Sequence, residues 1–98
     1  MTVVECNDYD EFIKFAERLT EIGFRWNTGH KIIGFYSERE LFEYNEKRMF
    51  RFIKCNDPSA GREGKPALIF SDSGFNMLST NEFLAKPKNY ALKEIESV

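Results

Sequence analysis

The sequence predicts an α+β domain, a small and mostly antiparallel sheet with one main helix packed on one face, and three observations carry that prediction. The segment from Tyr9 to Ile22 has apolar residues at helical spacing, with a cap before it and a glycine after it. The segments 2–6, 24–36, 48–55 and 67–78 are rich in β-branched and aromatic residues and are separated by turn-like composition. A length of 98 residues suits a single domain, read here as residues 1–87 followed by a polar C-terminal tail, 88–98.

Thr2-Val3-Val4-Glu5-Cys6 opens the chain as a strand. Asp8, three residues before Glu11, forms the aspartate version of a capping box, and Phe12, Phe15, Ala16, Leu19 and Ile22 then share one helical face, widened by Ile13. Gly23 stops the helix from the position after its C-cap. Phe24-Arg25-Trp26 alternates as a short strand does, Asn27-Thr28-Gly29 has turn composition, and Lys31 to Tyr36 reads as a second extended run pairing with the first in a hairpin. Gly34 marks a bulge or a close backbone approach in that run.

Ser37 with Glu40 repeats the capping-box spacing, which makes 38–44 a short helix with Leu41 and Phe42 inward, or else an irregular loop. From Arg48 to Cys55 the chain is a strand, with Phe50 and Phe52 on one face and Met49, Arg51, Ile53 and Cys55 on the other. Arg51, a lone cation in an apolar row, either snorkels to a sheet edge or points into a pocket. Residues 56–66 are the longest polar stretch and have the composition of a hairpin tip. Ala67 to Ser71 is a strand, Asp72-Ser73-Gly74 a turn, and Phe75 to Leu78 the return strand. Ser79 and Glu82 give a third capping-box spacing and a single helical turn that Pro87 ends.

Charge excludes some functions. With 14 cations against 16 anions the net charge is −2, which implies no general affinity for a nucleic-acid backbone, and DNA is not an expected partner. Two cysteines and one histidine do not make a zinc site of ordinary spacing, so no metal and no cofactor are expected. Cys6 and Cys55 read as buried, reduced thiols in a cytoplasmic protein, and no apolar run approaches the length of a signal peptide or a spanning helix. Gly61-Arg62-Glu63-Gly64-Lys65-Pro66 looks like a phosphate loop only superficially. Two residues stand where a Walker loop needs four, and Pro66 replaces the Ser or Thr that binds magnesium. No nucleophile elbow or paired-carboxylate signature is present, so an enzyme is not expected and no catalytic residue is assigned.

The remaining cluster is Gly23 to Lys31, which holds the only Trp and the only His. Trp26 offers a flat face for stacking, Arg25 and Lys31 offer charge to a phosphate, and Asn27, Thr28 and His30 are short polar groups suited to a base or ribose edge. Arg62 and Lys65 add two further cations for an anionic ligand. Trp26 placed just after a helix C-cap also fits a core lid. A helix followed by Gly23-Phe24-Arg25-Trp26-Asn27-Thr28-Gly29 resembles the Gly-aromatic-x-Trp-x-Ser/Thr-Gly element of short tailed-bacteriophage proteins, over roughly the first thirty residues. The resemblance implies a phage accessory protein in a bacterial cytoplasm that binds and disables a host component.

The expectation for function is a non-enzymatic binder acting by occupancy, on a host bacterial protein or on a nucleotide signal of antiphage defence. Surplus aromatics such as Phe50, Phe52 and Phe75 make a sticky sheet surface, and a homodimer is expected from it. The alternative is single-stranded RNA binding through an exposed face of Phe50 and Phe52 with Arg48 and Arg51.

Overall fold

A computed structural model describes residues 1–44 and 48–96. In chain order the elements are β1 (Thr2–Glu5), α1 (Tyr9–Glu21), β2 (Arg25–Trp26), α2 (Glu38–Tyr44), β3 (Met49–Lys54), β4 (Pro66–Ser71), β5 (Asn76–Ser79), α3 (Thr80–Leu84) and α4 (Tyr90–Glu96), with one 3₁₀ turn at Pro58–Ala60. The five strands form one sheet in the order β2-β4-β3-β1-β5.

The class is α+β, but the sheet is mixed and four helices accompany it. β3 pairs antiparallel with β1 and with β4, whereas β5 lies parallel to β1 and β2 parallel to β4. Two expected hairpins are absent. Residues 31–36 form no strand. Trp26 N–H donates to the His30 carbonyl at 2.9 Å and Gly29 N–H donates to the Trp26 carbonyl at 2.8 Å, which closes a tight loop. Of the run that follows, Ile32 is buried while Ile33 and Phe35 are exposed, so it has no alternating face for a sheet to hold. The expected β4–β5 return is also not a hairpin, because β3 and β1 lie between those strands. The one sequential pair is β3 and β4, joined through the polar 55–65 connection as its composition predicted.

The caps follow the sequence closely. Asp8 accepts from Glu11 N–H at 2.8 Å. Gly23, at φ 94°, closes α1 in a Schellman arrangement: Phe24 N–H donates to the Leu19 carbonyl and Gly23 N–H to the Thr20 carbonyl. Ser37 with Glu40 and Ser79 with Glu82 both form reciprocal boxes at the starts of α2 and α3.

One core cluster unites the helices with a single face of the sheet. Val4, Phe50, Phe52, Leu68 and Leu78 meet Phe12, Phe15 and Leu19 of α1, Leu41 of α2, Phe83 of α3, and Ala91 and Ile95 of α4. Ring contacts dominate it: Phe15 lies 5.7 Å from Phe50 and 5.1 Å from Phe83, centroid to centroid. Phe50 and Phe52 are therefore core residues, which removes both from the expected partner surface. The expected polar tail also differs, since Ala91 and Ile95 anchor α4 in this core at i,i+4 spacing; the last two residues of that tail lie outside the described residues.

The opposite face carries Val3, Met49, Arg51, Ile53, Ile69 and Met77, with Ile69, Arg51, Val3 and Met77 in one cross-strand row. Residues 72–75 pass over it from β4 to β5. They span three inter-strand spacings, about 14 Å, so the expected turn is an extended strap. Gly74 lies on Val3 so closely that a Cβ there would come within 2.6 Å of Val3 Cγ1. This explains why Val3 is fully buried on a face with no helix among the described residues.

Candidate functional site

The Gly23–Lys31 segment is held mainly by backbone. Arg25 Nη1 donates to the Gly29 carbonyl at 3.2 Å, and Asn27 is tied to Asn56, its Nδ2 donating to Asn56 Oδ1 at 2.9 Å while Asn56 N–H donates back to Asn27 Oδ1 at 3.1 Å. Arg62 reaches across from the 55–65 connection to donate to the Gly23 carbonyl at 2.9 Å. Gly29 packs on Ala60, whose carbonyl would lie 3.1 Å from an added Cβ. The structure thus brings Asn27 and Arg62 together as a clamp between two loops, with Arg25 and Arg62 already spending donors on carbonyls. Lys31 and Lys65 are exposed.

Trp26 is 4 % exposed and belongs to the core, so it offers no open face to a base. Its Nε1 is buried without a hydrogen-bond partner among the described residues. Trp26 instead sits inside a row of rings: Phe12 at 6.3 Å and 12° on one side, Phe70 at 5.0 Å and 25° on the other, with Tyr36 edge-on at 5.3 Å. The row continues outward, because Tyr44 stacks on Phe70 at 6.0 Å and 10° and is itself 72 % exposed. His30 and Phe35 stack at 4.0 Å, and Phe35 meets Tyr36 edge-on at 4.7 Å. Thr28 Oγ1 lies 2.8 Å from His30 Nδ1.

The outcome is an aromatic patch of Phe35, Tyr36, Tyr44 and Phe70 over the buried Trp26. Glu38, Glu40 and Glu43 stand on α2 beside it, and the Arg39–Glu43 pair at 2.9 Å offsets one of those charges. The Tyr36 phenol is pushed above its ordinary pKa by burial first, then by Tyr44 and by the Glu40 carboxylate, which places that negative charge next to the rings. Sequence reasoning chose Trp26 and its polar neighbours and missed Tyr44, whose only signal was its place at the end of a short helix. Phe75, expected at the surface, is 95 % exposed, but it stands at the end of the strap, away from these rings.

Cys6 and Cys55 are both buried and free, and burial pushes the Cys6 thiol up to about 12 against a smaller opposing effect of its hydrogen bond with Thr80. Among the described residues no group of three His, Cys, Asp or Glu side chains is placed to hold a metal, and no helix is long and apolar enough to cross a membrane. Comparison with known protein families, curated proteins and solved structures finds no match to this chain.

Proposed function

We propose that this chain is a non-enzymatic binding protein that acts by occupancy, of the accessory kind carried by tailed bacteriophages against a host component, and that its target is a protein. The observation that carries this reading is Tyr44, a largely exposed ring stacked on Phe70 at the outer end of a row rooted in the core. A ring held this way presents large area with little conformational freedom left to lose, which is the character of an interface hot spot. The acidic flank of α2 favours a basic partner surface. The nucleotide and RNA readings have less support, since Trp26, Phe50 and Phe52 are all committed to the core.

Native mass spectrometry of the tagged chain from bacterial cells tests this, comparing wild type with Tyr44→Glu. The expected result is a basic bacterial polypeptide retained by the wild type and lost from the variant. Equal retention by both, or retention only of a small molecule, overturns the assignment; the same spectra report the number of copies.

A further inference from the structure

β3 outruns its neighbour on one side. Against β4 it is paired through Lys54, with Phe52 facing Leu68 and Ile53 facing Ala67, whereas its pairing with β1 begins at Arg51, opposite Val3. Beyond that point the place of a neighbouring strand is taken by a cleft of about 400 Å³, between the edge of β3 and the last turn of α4. Ile53 and Ile95 line it, as do Arg51 and Lys54. The volume falls at the lower end of small-molecule sites. The free edge, Phe52 to Lys54, is shorter than an ordinary strand, so a ligand fits there better than an added peptide strand.

Electrostatics select the ligand. Neither Arg51 nor Lys54 has a carboxylate within ion-pair distance among the described residues. Among the described residues the side-chain hydrogen bond of Arg51 runs from Nη1 to Met1 Sδ, at 2.8 Å, and a thioether is a weak acceptor that leaves most of the guanidinium unused. The acid of the cleft, Glu94, is engaged elsewhere: its Oε1 accepts from Thr2 Oγ1 at 3.0 Å, and its hydrogen bond with Tyr90 adds to the effect of burial in raising that phenol. The lining therefore combines an apolar body with two cations, Arg51 on the Val3 face of β3 and Lys54 on the helix-covered face.

From this geometry we infer that the cleft binds a small amphiphilic anion, an acidic head group held by Arg51 on an apolar body seated against Ile53 and Ile95. The head is a carboxylate or a phosphate, since both accept from a guanidinium fork. This site lies apart from the Tyr44 patch and stands whether or not that patch binds a protein.

Amide NMR titration with sodium octanoate, octyl phosphate and octyltrimethylammonium tests it. Saturable shifts centred on Arg51, Ile53, Lys54 and Ile95 are expected with the anions and not with the cation, and the tighter of the two anions identifies the head group. Arg51→Gln should weaken binding about tenfold, the loss of one charge-assisted hydrogen bond. Ile53→Trp should abolish binding by filling the cleft, with the fold checked by its unchanged amide dispersion. Absence of saturable shifts with either anion, equal binding of the cation, or undiminished binding to Arg51→Gln overturns the inference.

Discussion

On one face of the sheet Phe50, Phe52 and Leu68 lie beneath four helices and a near-continuous set of ring contacts. On the other, Val3 is covered by four residues of extended chain, and Met77 remains half exposed. The covered face has redundancy, because Phe12, Phe15, Phe50, Phe52 and Phe83 each touch at least three other rings. On the crossed face the cover of Val3 depends on the backbone approach of Gly74. Both candidate binding regions stand where cover gives out, the Tyr44 patch at the margin of the helical layer and the cleft where β1 stops short of β3.

Substitutions can probe this contrast. Phe15→Ala, at the centre of the ring cluster, should destabilise by about 3–5 kcal/mol in urea unfolding, whereas Met77→Ala on the crossed face should stay within about 0.5 kcal/mol; comparable losses would erase the distinction. Gly74→Ala should cost about 1–3 kcal/mol, because the strap must lift off Val3 to admit a methyl group. Ser79→Ala removes the oxygen that caps α3 and should cost about 1 kcal/mol.

The smallest effect is in alkaline pH dependence. Cys6 ionises near 9.0 when free and near 12 when folded, so above pH 9 the unfolded chain loses a proton that the folded chain keeps. Stability from this group is complete below pH 9 and declines toward 12, by less than about 1 kcal/mol at pH 9.5. Tyr36 and Tyr90, also raised, act in the same direction, so Cys6→Ala should flatten the decline without abolishing it.

What could be read from sequence was local. The α1 stripe, its Asp8 cap and Schellman stop at Gly23, the capping boxes at Ser37 and Ser79 and the alternation along β3 all depend on residues within a few positions of one another and stand in the structure, although at Asp8 the box is only half made, since Glu11 accepts from Asn7 N–H instead. Sheet order was not legible, because the parallel pairs β1–β5 and β2–β4 join segments distant in sequence. Asp72-Ser73-Gly74 suits a turn and an extended strap equally, since composition does not say whether a chain reverses. The candidate site follows the same rule. Trp26 drew attention as a stacking platform, but its residue type does not decide whether it faces solvent or Phe12 and Phe70, and it lies in the core. Arg51 carried a real signal, a cation in an apolar row, which the structure places on the cleft.

The strap also ties β5 to β4 across the two strands between them. Ser71 lies in the cross-strand row of Met49, Glu5 and Ser79, while Asn76 begins β5 opposite Thr2, three residues along and two strands beyond β3. Five residue steps reach at most about 18 Å, close to the full diagonal of that crossing. There is no slack in the tether. β5 therefore keeps its place only while β4, β3 and β1 stay side by side, and deleting one residue from 72–75 would leave a well-formed hairpin and helix with the last strand and its α3 cap unable to dock.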